Sequence, residues 1–108
     1  MISTHLLDIS RGAPAANVDV TLEQMDDRGG ASLAGKGRTD KDGRVADLGP
    51  VRPGVYRLRF ATGAYFAATQ RETLYPEVSI VFHVHQADQR YHLPLLIGPF
   101  GYTTYRGS

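Results

Sequence analysis

The chain has 108 residues, which is one domain over 1–108 with room for a single core. Hydrophobic residues make up 42%, an ordinary share for a soluble globular protein. Twelve Lys+Arg, ten of them Arg, are scattered from Arg11 to Arg106 against 11 Asp+Glu. The resulting formal charge of +1, with no basic run, argues against nucleic acid as a partner.

Most of the hydrophobic pattern repeats every two residues, the period of a strand. Ile2 to Ile9 is a short apolar first strand, closed by the Gly/Pro loop Arg11-Gly12-Ala13-Pro14-Ala15. Asn17 to Gln24 alternates Val18, Val20 and Leu22 with polar neighbours and reads as a half-buried strand. The turn Asp26-Asp27-Arg28-Gly29-Gly30 makes Asn17 to Arg38 a hairpin. A second turn, Thr39-Asp40-Lys41-Asp42-Gly43-Arg44, carries the Asp-Gly signature. Gly49-Pro50 and Pro53-Gly54 bracket a loop, and Val55 to Ala61 alternates again as a strand. Thr62 to Glu72 is the one expected helix, with Thr62 as its N-cap and Tyr75-Pro76 ending it. Val78 to Val84 and Tyr91 to Ile97 are strands joined by a turn at Gln86 to Arg90, and Phe100 to Tyr105 is the last strand. Pro94 cannot donate to a ladder, so the Tyr91–Ile97 strand is unpaired on one side there or carries a bulge. Seven to eight short strands and one short helix define an all-β sandwich.

No cysteine is present, so disulfides and thiolate chemistry are excluded, and a metal would have to use the four His and the carboxylates. His83 and His85 share a strand face, but two ligands do not make a metal site. Asp40, Asp42 and Asp47 fit no complete calcium loop and read as turn chemistry. No stretch is apolar enough to span a membrane, and the start, Met1-Ile2-Ser3-Thr4-His5, lacks a signal peptide's pattern, so a cytoplasmic setting is expected.

His5 reads either as a strand histidine at a polar corner or as a general base. His92 alternates with Pro94 and Leu96 on one face of its strand, while Tyr91, Leu93, Leu95 and Ile97 take the core face. His92 is then a surface histidine or part of a face that meets a partner or ligand. Arg44 is a solvated turn cation or a fork donor to carbonyl or anionic groups. The chain closes with Thr103-Thr104-Tyr105-Arg106-Gly107-Ser108 directly after a strand and a tight turn, so this segment is held rather than frayed. It can deliver a hydroxyl, a guanidinium and a carboxylate to a fixed place.

Three blocks make the chain resemble the 5-hydroxyisourate hydrolases, transthyretin-like enzymes of urate breakdown. They are Ser3-Thr4-His5-Leu6-Leu7-Asp8 running into Arg11-Gly12-Ala13-Pro14-Ala15, Thr39-Asp40-Lys41-Asp42-Gly43-Arg44, and His92-Leu93-Pro94-Leu95-Leu96 with Pro99 to Ser108. The end Tyr105-Arg106-Gly107-Ser108 is the most specific part, since it separates the enzymes from the hormone carrier that shares their fold. The resemblance implies a transthyretin-like sandwich and a homotetramer built as a dimer of dimers. It implies catalytic roles for His5, Arg44, His92 and Ser108, with Tyr105, Arg106, Gly107, Pro94 and Leu96 binding a purine-derived substrate. No metal or cofactor is implied, and the choice of base between His5 and His92 stays open. The rival expectation is a carrier that holds a small aromatic ligand without catalysis.

Overall fold

A computed structural model describes residues 1–108. Two sheets face each other. One has the order β2-β1-β8-β9 with β5 also on β1; the other runs β4-β3-β6-β7. The strands are β1 (Ile2–Asp8), β2 (Ala13–Pro14), β3 (Asp19–Met25), β4 (Ala31–Arg38), β5 (Arg44–Val45), β6 (Gly54–Phe60), β7 (Val78–Val84), β8 (Tyr91–Gly98) and β9 (Gly101–Thr104). Seven are full strands; β2 and β5 are two-residue pieces that each pair antiparallel with β1.

The alternation read from the sequence sets both layers. Val18, Val20 and Leu22 from the β3 segment and Tyr56, Leu58 and Phe60 from β6 are buried against Ile2, Leu6, Leu93, Leu95 and Ile97 from the other sheet. Each fully buried side chain of this size contributes about 1.5–3 kcal/mol. β1 alternates without a break, burying Ile2, Thr4, Leu6 and Asp8 and turning Ser3, His5 and Leu7 to the outer face. β1 and β8 pair in parallel, which sets Ser3 beside His92, His5 beside Pro94 and Leu7 beside Leu96. The outer face of this pair is therefore where His5 and His92 meet.

Three expectations need correction. The helix α1 covers only Thr62–Ala68. Thr62 is its first helical residue rather than its cap; Ala61 holds the cap position without a side-chain bond, and the Thr62 hydroxyl is buried with no partner. The helix ends early because Gln70 adopts a left-handed backbone (φ 58) and the Arg71 N–H closes on the Phe66 carbonyl at 2.9 Å. Arg71 is thereby aimed at Asp8 instead of continuing the helix; its guanidinium lies 2.6 Å from the fully buried Asp8 carboxylate. Second, the turn at Gln86 to Arg90 does not join neighbouring strands of one sheet. β7 and β8 lie in different sheets, and the segment crosses between them. The Tyr91 hydroxyl pins the crossing by accepting the N–H groups of His85 (3.0 Å) and Gln86 (3.1 Å). Third, β9 stops at Thr104 rather than Tyr105.

At Pro94 the ladder lapses without a change of register. Leu95 faces Thr104, and three residues further along each strand His92 faces Gly107. The Thr104 hydroxyl donates to the Pro94 carbonyl at 2.8 Å across the gap. The closing segment is thus carried past the proline and fastened beside His92.

Candidate active site

Every polar group on the outer face of β1 and β8 has an assigned place. His92 is half-buried, and its Nδ1 lies 2.9 Å from the Ser3 Oγ on the neighbouring strand. Burial pushes the His92 imidazole down from its ordinary value, and the charges of Arg44 and His5 push it the same way. Its ring is therefore neutral near pH 7, with Nε2 free of protein partners. The His5 Nε2 lies 3.0 Å from the Asp42 carbonyl. A carbonyl can only accept, so this nitrogen carries the proton, and whenever the ring is neutral Nδ1 is its acceptor.

Arg44 stands opposite His5 in the β1–β5 register. It follows the Asp40–Gly43 turn, and Asp40 Oδ1 accepts the N–H groups of both Asp42 (2.9 Å) and Arg44 (3.0 Å). The Arg44 N–H is the first of the groups that hold the Asp40 carboxyl below its ordinary range, followed by the Asp42 N–H and the charges of Arg44 and His5; local desolvation opposes them. Arg44 has no carboxylate within ion-pair distance, so its fork is available to a ligand.

These groups surround a cavity of about 420 Å³ whose wall includes Ser3, Asp40, Arg44, Arg90, His92 and Ser108. Gly107 is also on the wall, and its N–H donates to the His92 carbonyl at 2.7 Å. Of the nine residues singled out in the sequence, the cavity gathers Arg44, His92, Gly107 and Ser108. His5 stands beside it, engaged with Asp42. Pro94 is buried beneath Gly107, Leu96 is half-buried further along the same strand, and Tyr105 is exposed. Arg106 faces away: its guanidinium sits 4.5 Å over the Tyr91 ring and donates to the Arg90 carbonyl at 3.0 Å. Period two explains this, because Gly107 and Arg106 must point to opposite faces of the extended chain. His83 lies on β7 of the other sheet and His85 just past its end, their ring centroids 4.1 Å apart.

Sequence reasoning missed Ser3, Asp40 and Arg90 as parts of the site. The parallel β1–β8 register places Ser3 beside His92, and that pairing is not written in either segment alone. Asp40 was visible only as turn chemistry.

A scan of family models matches residues 2–107 to the HIUase/Transthyretin family. The chain belongs to this family. A curated relative from Salmonella typhimurium, named 5-hydroxyisourate hydrolase, is 44% identical over 111 residues, covering 100% of this chain and 81% of the relative. The solved structure of Klebsiella pneumoniae 5-hydroxyisourate hydrolase superposes with a TM-score of 0.86 at 38% identity, covering 99% of this chain and 98% of that one. Sea bream transthyretin in complex with thyroxine superposes with a TM-score of 0.92 at 31% identity, covering 98% and 93%. Backbone shape thus leans toward the carrier and sequence toward the hydrolases. Within this fold, residues rather than shape must decide function.

Proposed function

We propose that this protein hydrolyses 5-hydroxyisourate, opening its six-membered ring at the amide C–N bond. The observation that carries the reading is the meeting of a neutral His92 imidazole and an unpaired Arg44 guanidinium at one cavity, with the chain's closing segment fastened beside them. A carrier needs neither a proton acceptor nor a free fork donor at that place.

Water supplies the nucleophile. His92, with Nδ1–H directed to Ser3 Oγ, presents Nε2 as the base. The water oxygen bonds to the ring carbonyl carbon as its proton passes to Nε2. Arg44 donates to the carbonyl oxygen as negative charge develops there. The C–N bond then breaks, the departing nitrogen takes the proton, and a carboxylic acid remains that ionises at neutral pH. Proton transfer of this kind contributes about 10²–10⁴-fold. A donor to the developing oxyanion contributes about 10²–10³-fold. His5 orients substrate or water from beside the cavity, and Ser108 closes the wall. The chemistry calls for no metal, cofactor or covalent intermediate.

The homotetramer, a dimer of dimers, belongs to the same proposal, as does a cytoplasmic setting. β7 and β9 each end a sheet with unpaired backbone groups, the usual templates for strand pairing with another copy. The outer face that carries His92 also bears half-buried Leu7 and Leu96 and exposed Tyr105, a surface that a second dimer would cover. No helix is long and apolar enough to cross a membrane.

The test follows the ultraviolet absorbance of freshly made 5-hydroxyisourate with and without protein. Decay well above the spontaneous rate supports hydrolysis. Spontaneous-rate decay together with stoichiometric retention of the compound in dialysis establishes the carrier instead.

A further inference from the structure

The turn between β4 and β5 is built so that one carboxylate determines where its peptide groups point. Asp40 Oδ1 holds the N–H groups of Asp42 and Arg44, and the Asp40 N–H and carbonyl bond to the Arg44 carbonyl (3.0 Å) and the Gly43 N–H (2.9 Å). The turn is anchored at its start by buried Thr39, whose hydroxyl donates to the Ala15 carbonyl at 2.8 Å and accepts the Val18 N–H at 2.9 Å. It is anchored at its end by the Leu6 N–H, which donates to the Gly43 carbonyl at 2.7 Å. Gly43 has φ 77, and a Cβ there would stand 2.2 Å from the Leu6 carbonyl oxygen, so only glycine fits at this point. The product of the arrangement is a single aimed group, the Asp42 carbonyl, 3.0 Å from His5 Nε2.

We propose that Asp40 is a positioning residue: by clamping the 40–44 turn it aims the Asp42 carbonyl at His5 and so fixes the tautomer of that imidazole. His5 then keeps its proton on Nε2 and offers Nδ1 as acceptor, while the same clamp sets the start of β5 and with it Arg44. A turn free to rotate about the 42–43 peptide would replace the carbonyl with an N–H, and His5 would change tautomer. Placing His5 in the catalytic apparatus rests on the hydrolase reading; the tautomer itself does not.

The experiment measures the His5 ring nitrogens by long-range ¹H–¹⁵N correlation in the full chain, beside steady-state kinetics on 5-hydroxyisourate. Asp40→Asn keeps an oxygen that accepts both N–H groups and loses the charge. Asp40→Glu keeps the charge and displaces the oxygen. The proposal expects wild type and Asp40→Asn to show His5 protonated on Nε2 alone. Asp40→Glu should show mixed tautomers and a kcat about 10–100-fold lower, the scale seen when a partner that orients a histidine is removed, with KM within twofold. Retention of the single Nε2–H tautomer in Asp40→Glu overturns the proposal. So does a mixed-tautomer signal in Asp40→Asn equal to that in Asp40→Glu, since charge and not the clamp would then be the agent. If no variant and no wild type consumes 5-hydroxyisourate, the hydrolase reading fails, while the nitrogen shifts still decide the clamp.

Discussion

Gly107→Ala probes the account with a single methyl group. A Cβ at this position would stand 2.7 Å from His92 Cδ2, 3.1 Å from Pro94 Cγ and 3.2 Å from Pro94 Cδ. Carbon atoms in good contact lie about 3.5–4.0 Å apart, so something must move by roughly 1 Å. The Pro94 ring is buried in β8 between β1 and the closing segment and has little freedom. That leaves two routes. If the imidazole yields, His92 loses its 2.9 Å contact with Ser3. If the segment yields, the 2.7 Å bond from the Gly107 N–H to the His92 carbonyl breaks and Ser108 leaves the cavity wall. Either displacement misplaces a group at the reacting atoms, and about 1 Å of misplacement can cost about 10²-fold. The position lies outside the core, so the cost to folding is confined to this contact and the lost bond, about 1 kcal/mol. Stopped-flow decay of 5-hydroxyisourate should show kcat/KM about a hundredfold lower with a melting temperature lowered by several degrees at most. Gly101→Ala, on β9, is the control: a Cβ there meets nothing within 4 Å, and activity should match wild type. Gly107→Ala with kcat/KM within twofold of wild type would refute the packing of this segment against His92.

The remaining predictions concern pH and the buried ion pair. With the neutral His92 ring as the proposed base, kcat/KM should fall as pH drops through a pKa that burial, then Arg44, then His5 hold below the ordinary imidazole value of about 6.5. Arg44→Ala removes one of those charges; the acid limb of its residual activity should move to higher pH while kcat drops about 10²–10³-fold. At Asp8, burial favours the neutral acid, but hydrogen bonds from Arg71, Ser10 and Tyr65 prevail and hold the pKa down to about 2. A depressed carboxylate stabilises the fold above its unfolded pKa and loses that contribution as pH falls, so roughly 2.5 kcal/mol should disappear between about pH 4 and pH 2. Arg71→Met leaves a fully buried carboxylate without its cation and should cost about 3–5 kcal/mol in denaturant melts at pH 7, a loss absent from the double variant with Asp8→Asn.

Local patterns were legible from the residues themselves. Val18, Val20 and Leu22 alternate cleanly because one face of β3 meets the core and the other meets solvent. The Asp42-Gly43 turn followed from backbone chemistry, and the split of β8 into two faces placed His92 correctly on the outer one. Long-range pairing was not legible. Asp8 reads as the polar end of an apolar strand, and its partner Arg71, 63 residues away, reads as the tail of a helix. The crossing at Gln86 to Arg90 depends on the Tyr91 hydroxyl finding two backbone N–H groups, which no local propensity announces. The direction of Arg106 was readable: alternation alone sends it away from the face that Gly107 occupies. Arg90 and Asp40 reach the cavity from loops, where no periodicity tells which way a side chain turns.

His92→Ala, assayed for decay of fresh 5-hydroxyisourate alongside circular dichroism and light-scattering mass, tests the central claim most directly. The account predicts wild-type fold and assembly with substrate loss reduced to the spontaneous rate. Near-normal turnover by that variant would contradict it and remove the imidazole–guanidinium cavity as the place of catalysis.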